Sequence, residues 1–378
     1  MPSIPILKTT AELEDLAGQL AQTKTFAFDL EADSMHSYRE KICLMQVTFG
    51  TETLLIDPFP LPGLEALKPV LAEPAVRKIF HAADYDLRCL YRDFGIRVRG
   101  LFDTMICAQL LGEERIGLAD LLAKYFDVQL DKRFQRADWS QRPLPEDMLR
   151  YAAEDTRHLP RLAELFENRL RERGRLEWAE EEFRLQEQVR FTDSAGPLFL
   201  RVKGAGRLDR RQLGILESLL AWREEEAERR DRPPFKVIGN RELLAVAQAA
   251  PATMRALDHI EDLPSRHRQR LGKYLLAAVE QGLERSEEQL PVFPRQAARQ
   301  QHDPQIEARM NTLKKWRTTA ARGLGLDPGV LINNAQLEEL ARNTPRNRSE
   351  LEQIAGLKNW QVRELGDEIL QHLAGAAR

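Results

Sequence analysis

The chain is poor in cysteine, has no long apolar run, and carries no large excess of charge of either sign. Its three cysteines, Cys43, Cys89 and Cys107, lie far apart and form no Cys-x-x-Cys pair. That spacing argues against a disulfide framework and a cysteine zinc site, and it suits a reducing, cytoplasmic setting. No stretch approaches the roughly 18 apolar residues of a membrane span. The start, Met1-Pro2-Ser3-Ile4-Pro5-Ile6-Leu7-Lys8, lacks the charged opening and apolar run of a secretion signal, so neither export nor membrane insertion is expected.

What the chain does contain is ample apolar material. With 378 residues, 43% hydrophobic and 30% charged, it is long enough for two or three cores. The formal net charge of −3 hides a split of −8 over residues 1–200 and +5 over residues 201–378. An acidic half can hold cations and a basic half a polyanion, although helix surfaces also vary in charge for no functional reason.

Residues 25–29, 42–48 and 53–56 read as three strands in an antiparallel meander. A helix over 64–71, a strand over 76–80, a helix over 85–94, a strand over 98–102 and a helix over 104–111 follow. Strands alternating with helices predict an α/β domain with a mixed sheet. From 118 to about 188 the pattern is helical, broken by Pro143 and Pro145 just before a helix containing Tyr151 and Asp155. Residues 192–206 and 286–304 read as linkers. They divide the chain at 1–195, 207–285 and 305–375.

The last two regions are copies of each other. Trp222 and Trp316 stand 94 residues apart, and the same ungapped offset relates Arg223 to Arg317, Pro234 to Pro328, Asn240 to Asn334, Leu243 to Leu337, Leu257 to Leu351 and Gly272 to Gly366. One small all-α bundle is therefore present twice. The paired tryptophans, set among apolar residues, read better as core anchors than as base-stacking platforms.

The chemistry concentrates in Asp29-x-Glu31, Asp86 and Tyr151-x-x-x-Asp155. Residues two apart on a strand share a face, so Asp29 and Glu31 leave the sheet together. Like-charge repulsion opposes that arrangement unless a cation lies between them. Tyr151 and Asp155, four apart on a helix, project from one side about a turn apart. A half-buried structural tyrosine would show the same isolated spacing; the ordered set along an α/β domain is the stronger signal.

Phe28-Asp29-Leu30-Glu31, His81-Ala82-Ala83-Asp84-Tyr85-Asp86-Leu87 and Tyr151-Ala152-Ala153-Glu154-Asp155 resemble the three motifs of the DEDD exonuclease superfamily, tyrosine subclass. The segment Leu130-Asp131-Lys132-x-x-Gln135-x-x-Asp138-Trp139-x-x-Arg142-Pro143-Leu144 is similar to one typical of the ribonuclease D family, and the repeated bundle resembles the helicase-and-ribonuclease-D C-terminal (HRDC) domain. The resemblance implies a ribonuclease H-like α/β exonuclease domain followed by two HRDC domains. It further implies 3′-to-5′ trimming of tRNA precursors and other small structured RNAs, with release of 5′-mononucleotides. By family position Asp86, ahead of Leu87, is the carboxylate of the second motif, and Asp84 reads as a first-turn acid of the same helix. His81 reads as a strand-end residue bonded to its neighbours.

Oxygen-only ligands suit Mg²⁺ or Mn²⁺. By resemblance, Asp29 bridges two such ions, Glu31 and Asp155 complete one, and Asp86 supports the other, while Tyr151 orients the attacking water. Met35, His36 and Tyr38 follow the first motif and read either as a stacking surface for a 3′ base or as plain loop residues. Lys132 and Arg142 read as phosphate contacts or as solvated surface. Basic clusters at Arg201, Lys203, Arg207, Arg210 and Arg211, at Arg266, Arg268, Arg270 and Lys273, and at Lys314, Lys315 and Arg317 suit a nucleic-acid backbone. Acidic runs beside them suit a mixed surface instead. Two other functions compete: a proofreading-type DNA 3′ exonuclease, weakened by the absence of a Gly-x-x-x-x-Gly-Lys-Ser/Thr loop, and a non-catalytic RNA scaffold. A monomer is expected by default.

Overall fold

The computed structural model describes residues 4–192, 196–293 and 303–376. Parts of both expected linkers, 193–195 and 294–302, lie outside the described residues, as do residues 1–3. A six-stranded mixed sheet runs in the order β1-β4-β3-β2-β5-β6. Its strands are β1 (Ile6–Leu7), β2 (Thr25–Ala32), β3 (Ile42–Phe49), β4 (Glu52–Ile56), β5 (Arg77–Phe80) and β6 (Leu101–Asp103). The expected meander β2-β3-β4 is antiparallel, and β1, β5 and β6 join in parallel to β4, β2 and β5 respectively.

Around the sheet lie α1 (Thr10–Ala21), α2 (Leu67–Ala72), α3 (Asp84–Phe94), α4 (Thr104–Leu110), α5 (Leu118–Phe126), α6 (Glu146–Arg157), α7 (Leu159–Glu172) and α8 (Leu176–Gln186). Three expectations need correction. Within the linker expected at 192–206, Leu198–Arg201 and Ala205–Arg207 form short 3-10 turns that bury Phe199, Val202 and Ala205 in the core of the first module. The strand expected from residue 98 starts at Leu101, because Gly100 takes φ +69° in a turn so tight that a Cβ would meet the Val76 carbonyl at 2.7 Å. The helical reading of 118–188 is interrupted over 127–145, where Asp127 ends α5 in the left-handed region and the chain wraps back before Pro145 starts α6.

The repeat is reproduced helix for helix. The first module contains α9 (Arg210–Arg229), α10 (Pro234–Val237), α11 (Asn240–Ala249), α12 (Met254–Asp258) and α13 (Ser265–Leu283). The second contains α14 (Pro304–Leu324), α15 (Pro328–Leu331), α16 (Asn334–Asn343), α17 (Arg348–Glu352) and α18 (Asn359–Ala376), each starting 94 residues after its counterpart. Arg223 and Arg317 do the same job in each: both guanidinium groups donate to a backbone carbonyl (Ile238, Ile332) and to an asparagine Oδ1 (Asn240, Asn334). The tryptophans differ. Trp316 is buried and donates its indole N–H to Glu368, whereas Trp222 is half-buried and stacks on the exposed Tyr274.

Chain order is not spatial order. One compact unit comprises residues 1–32, 42–191 and 301–378, so it unites the sheet domain with the second module; the other comprises 33–41 and 192–300. In the first unit, Trp178 of α8 stacks on Trp360 of α18 at 4.5 Å and 13°. The Glu181 carboxylate accepts from the Asn359 and Trp360 amides at the start of α18. Glu182 accepts from Lys358 and from the Trp360 indole, and Arg175 donates to the Leu324 carbonyl. In the second unit, the loop 33–41 lies on α9: the Tyr38 amide donates to Asp231, Arg39 pairs with Glu228 at 2.7 Å, and the Tyr38 ring packs on the module's core.

The Trp178–Trp360 stack is expected to tie the second module to the sheet domain. Trp360→Ala should cost about 3–5 kcal/mol in urea unfolding and make residues 301–378 the first segment cut by limited proteolysis. An unchanged midpoint and cleavage pattern would show the stack to be incidental.

Candidate active site

The site is assembled by β2, α3 and α6. On β2, Asp29 and Glu31 point to one face, paired across the ladder with Gln46 and Leu44 of β3. That face is roofed by α6, whose buried Met148, Ala152, Ala153 and Thr156 lie toward the sheet. The two alanines allow a close approach, and a hydroxyl–hydroxyl bond of 2.8 Å from Thr48 of β3 to Thr156 fixes the helix on the sheet. Tyr151 and Asp155, one turn apart on α6, therefore reach the β2 carboxylates. Asp29, Glu31, Tyr151 and Asp155 line one cleft of about 240 Å³ with His81, Leu118, Gln135 and Leu159.

Asp86 enters from α3. Asp103, buried at the end of β6, accepts from the Ala82 and Ala83 amides and also caps α4 through Met105 and Ile106. It thereby holds the strained turn at Ala82 (φ 67°) that starts α3. Asp86 is buried, while Asp84 is paired on the surface with Arg88. His81 has Nδ1 2.9 Å from the Thr104 hydroxyl, the neighbour-bonded role expected of it.

The electrostatics are those of acids crowded without counter-charge. Burial pushes the Asp29 carboxyl up to about 7 and that of Asp155 up to about 8, where Asp29 adds repulsion. Glu31 is raised well above its usual range by burial and then by Asp29, Asp155 and Asp86. Asp86 is raised by burial, Asp29 and Asp103. Among the described residues no lysine or arginine offsets any of these shifts. Among the described residues no group of three or more acids, histidines or cysteines is set to hold a metal ion as it stands. An all-oxygen, anionic, partly buried set fits hard divalent cations.

Tyr151 is held between rings, 5.9 Å from Trp139 and edge-on to Phe134 at 5.7 Å. Burial and the carboxylates of Asp155, Glu31 and Asp29 push its phenol far above 10, so it stays protonated. Both rings come from the 127–145 wrap, which Arg142 pins in place. All five of its N–H donors are spent: two on Asp57 and three on the carbonyls of Trp139, Gln141 and Cys43. Arg142 is a clamp behind the site, so the expectation that it contacts phosphate is withdrawn.

The other expected RNA contacts fall in both units. Lys132 is exposed on the wrap, beside a cleft of about 340 Å³ that Asp131, Arg133 and Arg150 share with Tyr151 and Asp155. Met35 is exposed and His36 half-buried in the loop 33–41, which Asp33 knots through bonds from the His36, Ser37 and Lys41 amides. The Tyr38 ring is taken up by the first module. Gln46 went unnoticed in the sequence: it is fully buried opposite Asp29, and its amide has no protein partner among the described residues. Only its place across the ladder from Asp29 could have flagged it.

Comparison with known proteins identifies the domains. A 3′-5′ exonuclease family model matches residues 4–171, and an HRDC domain model matches 212–279 and 306–373. The chain is 28% identical to ribonuclease D of Pseudomonas paraeruginosa over 377 residues, covering 99% of each. It belongs to the ribonuclease D family. The crystal structure of Escherichia coli RNase D, described as an exoribonuclease involved in structured RNA processing, matches it with a TM-score of 0.73 at 25% identity, over 99% of each chain. Exosome complex component 10 of Rattus norvegicus is 35% identical over 257 residues, but the chain spans only 29% of that longer protein. As a member of the family, the chain is a hydrolase of the 3′-5′ exoribonuclease type, and exonucleases of this class use divalent metal ions.

The raised carboxyls set a pH dependence for the metal-free protein. Each holds in the folded state a proton that the unfolded chain releases near pH 4. Folding stability therefore falls as pH rises from about 4 through the folded values of about 7 and 8 for Asp29 and Asp155. In EDTA the melting temperature should fall between pH 5 and pH 8, recover with millimolar Mn²⁺ at pH 8, and fall less in Asp155→Asn. A flat profile in EDTA would show that the carboxylates are not forced together.

Proposed function

We propose that the chain trims the 3′ ends of tRNA precursors and other small structured RNAs, one 5′-mononucleotide at a time, with two divalent ions, Mg²⁺ or Mn²⁺, held by Asp29, Glu31, Asp86 and Asp155. The observation that carries this reading is the shared cleft of Asp29, Glu31, Tyr151 and Asp155, with buried Asp86 raising the pKa of Glu31. When bound, such ions neutralise phosphate charge and make water acidic enough to attack at neutral pH. Asp29 would be the ligand common to both ions, Glu31 and Asp155 would complete one, and Asp86 would support the other.

Tyr151 cannot be the base, since its proton is held too tightly. A protonated phenol can accept a bond from the attacking water and donate one to a phosphate oxygen, which fixes the angle of attack. The rings of Trp139 and Phe134 hold it in that pose. We take the exonuclease part as residues 1–195 and the modules as 207–285 and 305–375, and the chain as a monomer. Three buried cysteines, with no disulfide among the described residues, support the reducing cytoplasm as its compartment. No described helix is long and apolar enough to cross a membrane.

Two measurements test the reading. Tyr151→Phe should lose roughly 10²-fold in turnover while keeping RNA affinity; an undiminished rate removes the phenol from the mechanism. Asp155→Asn should abolish cleavage in saturating Mg²⁺ yet bind RNA normally in EDTA. Run on 5′-labelled RNA and matching DNA, the wild type should shorten RNA stepwise, and preferential shortening of DNA would overturn the substrate assignment.

A further inference from the structure

The basic cluster that opens the first module is sorted by the fold into spent and free cations. Arg210 donates to the carbonyls of Glu287 and Leu290, and Arg211 donates to those of Leu283 and Arg285 and pairs with Glu287. Both fasten the ends of the module together. Lys203 and Arg207, by contrast, are exposed and have no described partner. They line a cleft of about 370 Å³ with Arg241, Asn240 and Gln248. The acid there, Asp262, is paired with Arg241, so the cleft keeps a net positive charge.

The second module is an internal control, because from α9 onward each helix has a counterpart 94 residues on. Within the repeat, Arg241 is replaced by Ala335, the cleft-lining Leu244 and Ala245 become Glu338 and Glu339, Gln248 becomes Arg342 and Asp262 becomes Gly356, whereas Lys203 and Arg207 precede α9, where the repeat begins. Over these shared positions the first copy sets Arg241 against Asp262 and the second sets Arg342 against Glu338 and Glu339, so the second is more acidic by one charge, and the first copy's cleft adds Lys203 and Arg207. The residues that both copies keep, Arg223 and Arg317 with Asn240 and Asn334, serve the fold. The difference is therefore confined to surface chemistry. The second copy also has a different occupation, since α18 packs on α8 of the sheet domain through Trp360 and Glu182.

We propose that the cleft of Lys203, Arg207 and Arg241 is a phosphate-binding site for the RNA backbone, and that the duplicated modules have divided their work, the first holding RNA and the second serving as scaffold. Exposed lysine and arginine around a cleft bind phosphate by charge and release counterions, whatever the base sequence. Asn240 and Gln248 add uncharged donors. This proposal rests on the exoribonuclease reading for the identity of the polyanion.

The test uses the full-length protein in EDTA, so that RNA is bound and not cut, with fluorescence anisotropy on two single-stranded RNAs of unrelated sequence at several salt concentrations. Lys203→Ala/Arg207→Ala should weaken both RNAs equally. The log–log salt slope should fall by about 0.7 for each phosphate no longer neutralised. The melting temperature should stay at the wild-type value, and in Mg²⁺ the kcat on a dinucleotide should be unchanged while KM for a long RNA rises. Arg342→Ala, at the counterpart of Gln248 in the second module, should leave the slope alone. An unchanged slope in the double variant, or an equal drop in Arg342→Ala, overturns the proposal. Wild-type protein that binds RNA but never shortens it in Mg²⁺ would refute the exoribonuclease reading and leave the salt-slope result to judge the cleft.

Discussion

Four carboxylates brought together without a counter-charge set the terms for the rest of the molecule. Water would hold them apart, and burial raises the cost of charging each one. The fold meets that cost with bonds outside the cleft: Asp103 fixing the start of α3, Thr48 and Thr156 fixing α6, and Arg142 tying the wrap that carries Trp139 to Asp57 and the Cys43 carbonyl. None of these groups lines the cleft. They convert the stability of an ordinary α/β sheet into the local instability that a divalent ion relieves, which couples metal binding to order in the site.

The carboxylate motifs were legible because each is short and sits on one element. The strand period puts Asp29 and Glu31 on one face, and the helix period puts Tyr151 and Asp155 on one side, with no long-range information needed. The distinction between Asp84 and Asp86 was legible only through resemblance, and burial explains it. Arg142 was misread because its partners, Asp57 and the Cys43 carbonyl, are 85 and 99 residues away, and an arginine in a polar loop gives no local sign of being saturated. Asp103 was invisible for the same reason, its partners Ala82 and Ala83 lying 21 and 20 residues away, and Gln46 because its place opposite Asp29 is set by strand register. The helix α1 was announced by Thr9 and Glu12, a capping box that the structure forms, and went unused.

Domain arrangement was the least legible property. An exact 94-residue repeat suggests two equivalent beads on a string, yet the copies belong to different units. The signal lay in a few side chains: Trp178 facing Trp360, Glu181 and Glu182 facing the start of α18, and Tyr38 facing α9. Duplication preserves a core and leaves surfaces free to diverge, so the repeat predicts the five helices and says nothing of what each copy packs against. The same freedom lets one copy keep a positive cleft where the other turns acidic.

That the carboxylates form one cation site is tested most directly by anomalous diffraction at the manganese edge, from crystals soaked in Mn²⁺ with an uncleavable RNA. Two peaks should flank Asp29, one also within reach of Glu31 and Asp155 and the other toward Asp86, with the Tyr151 hydroxyl turned toward the scissile phosphate. Strong peaks elsewhere and none at Asp29, under conditions in which the protein shortens RNA, would contradict a shared cation site.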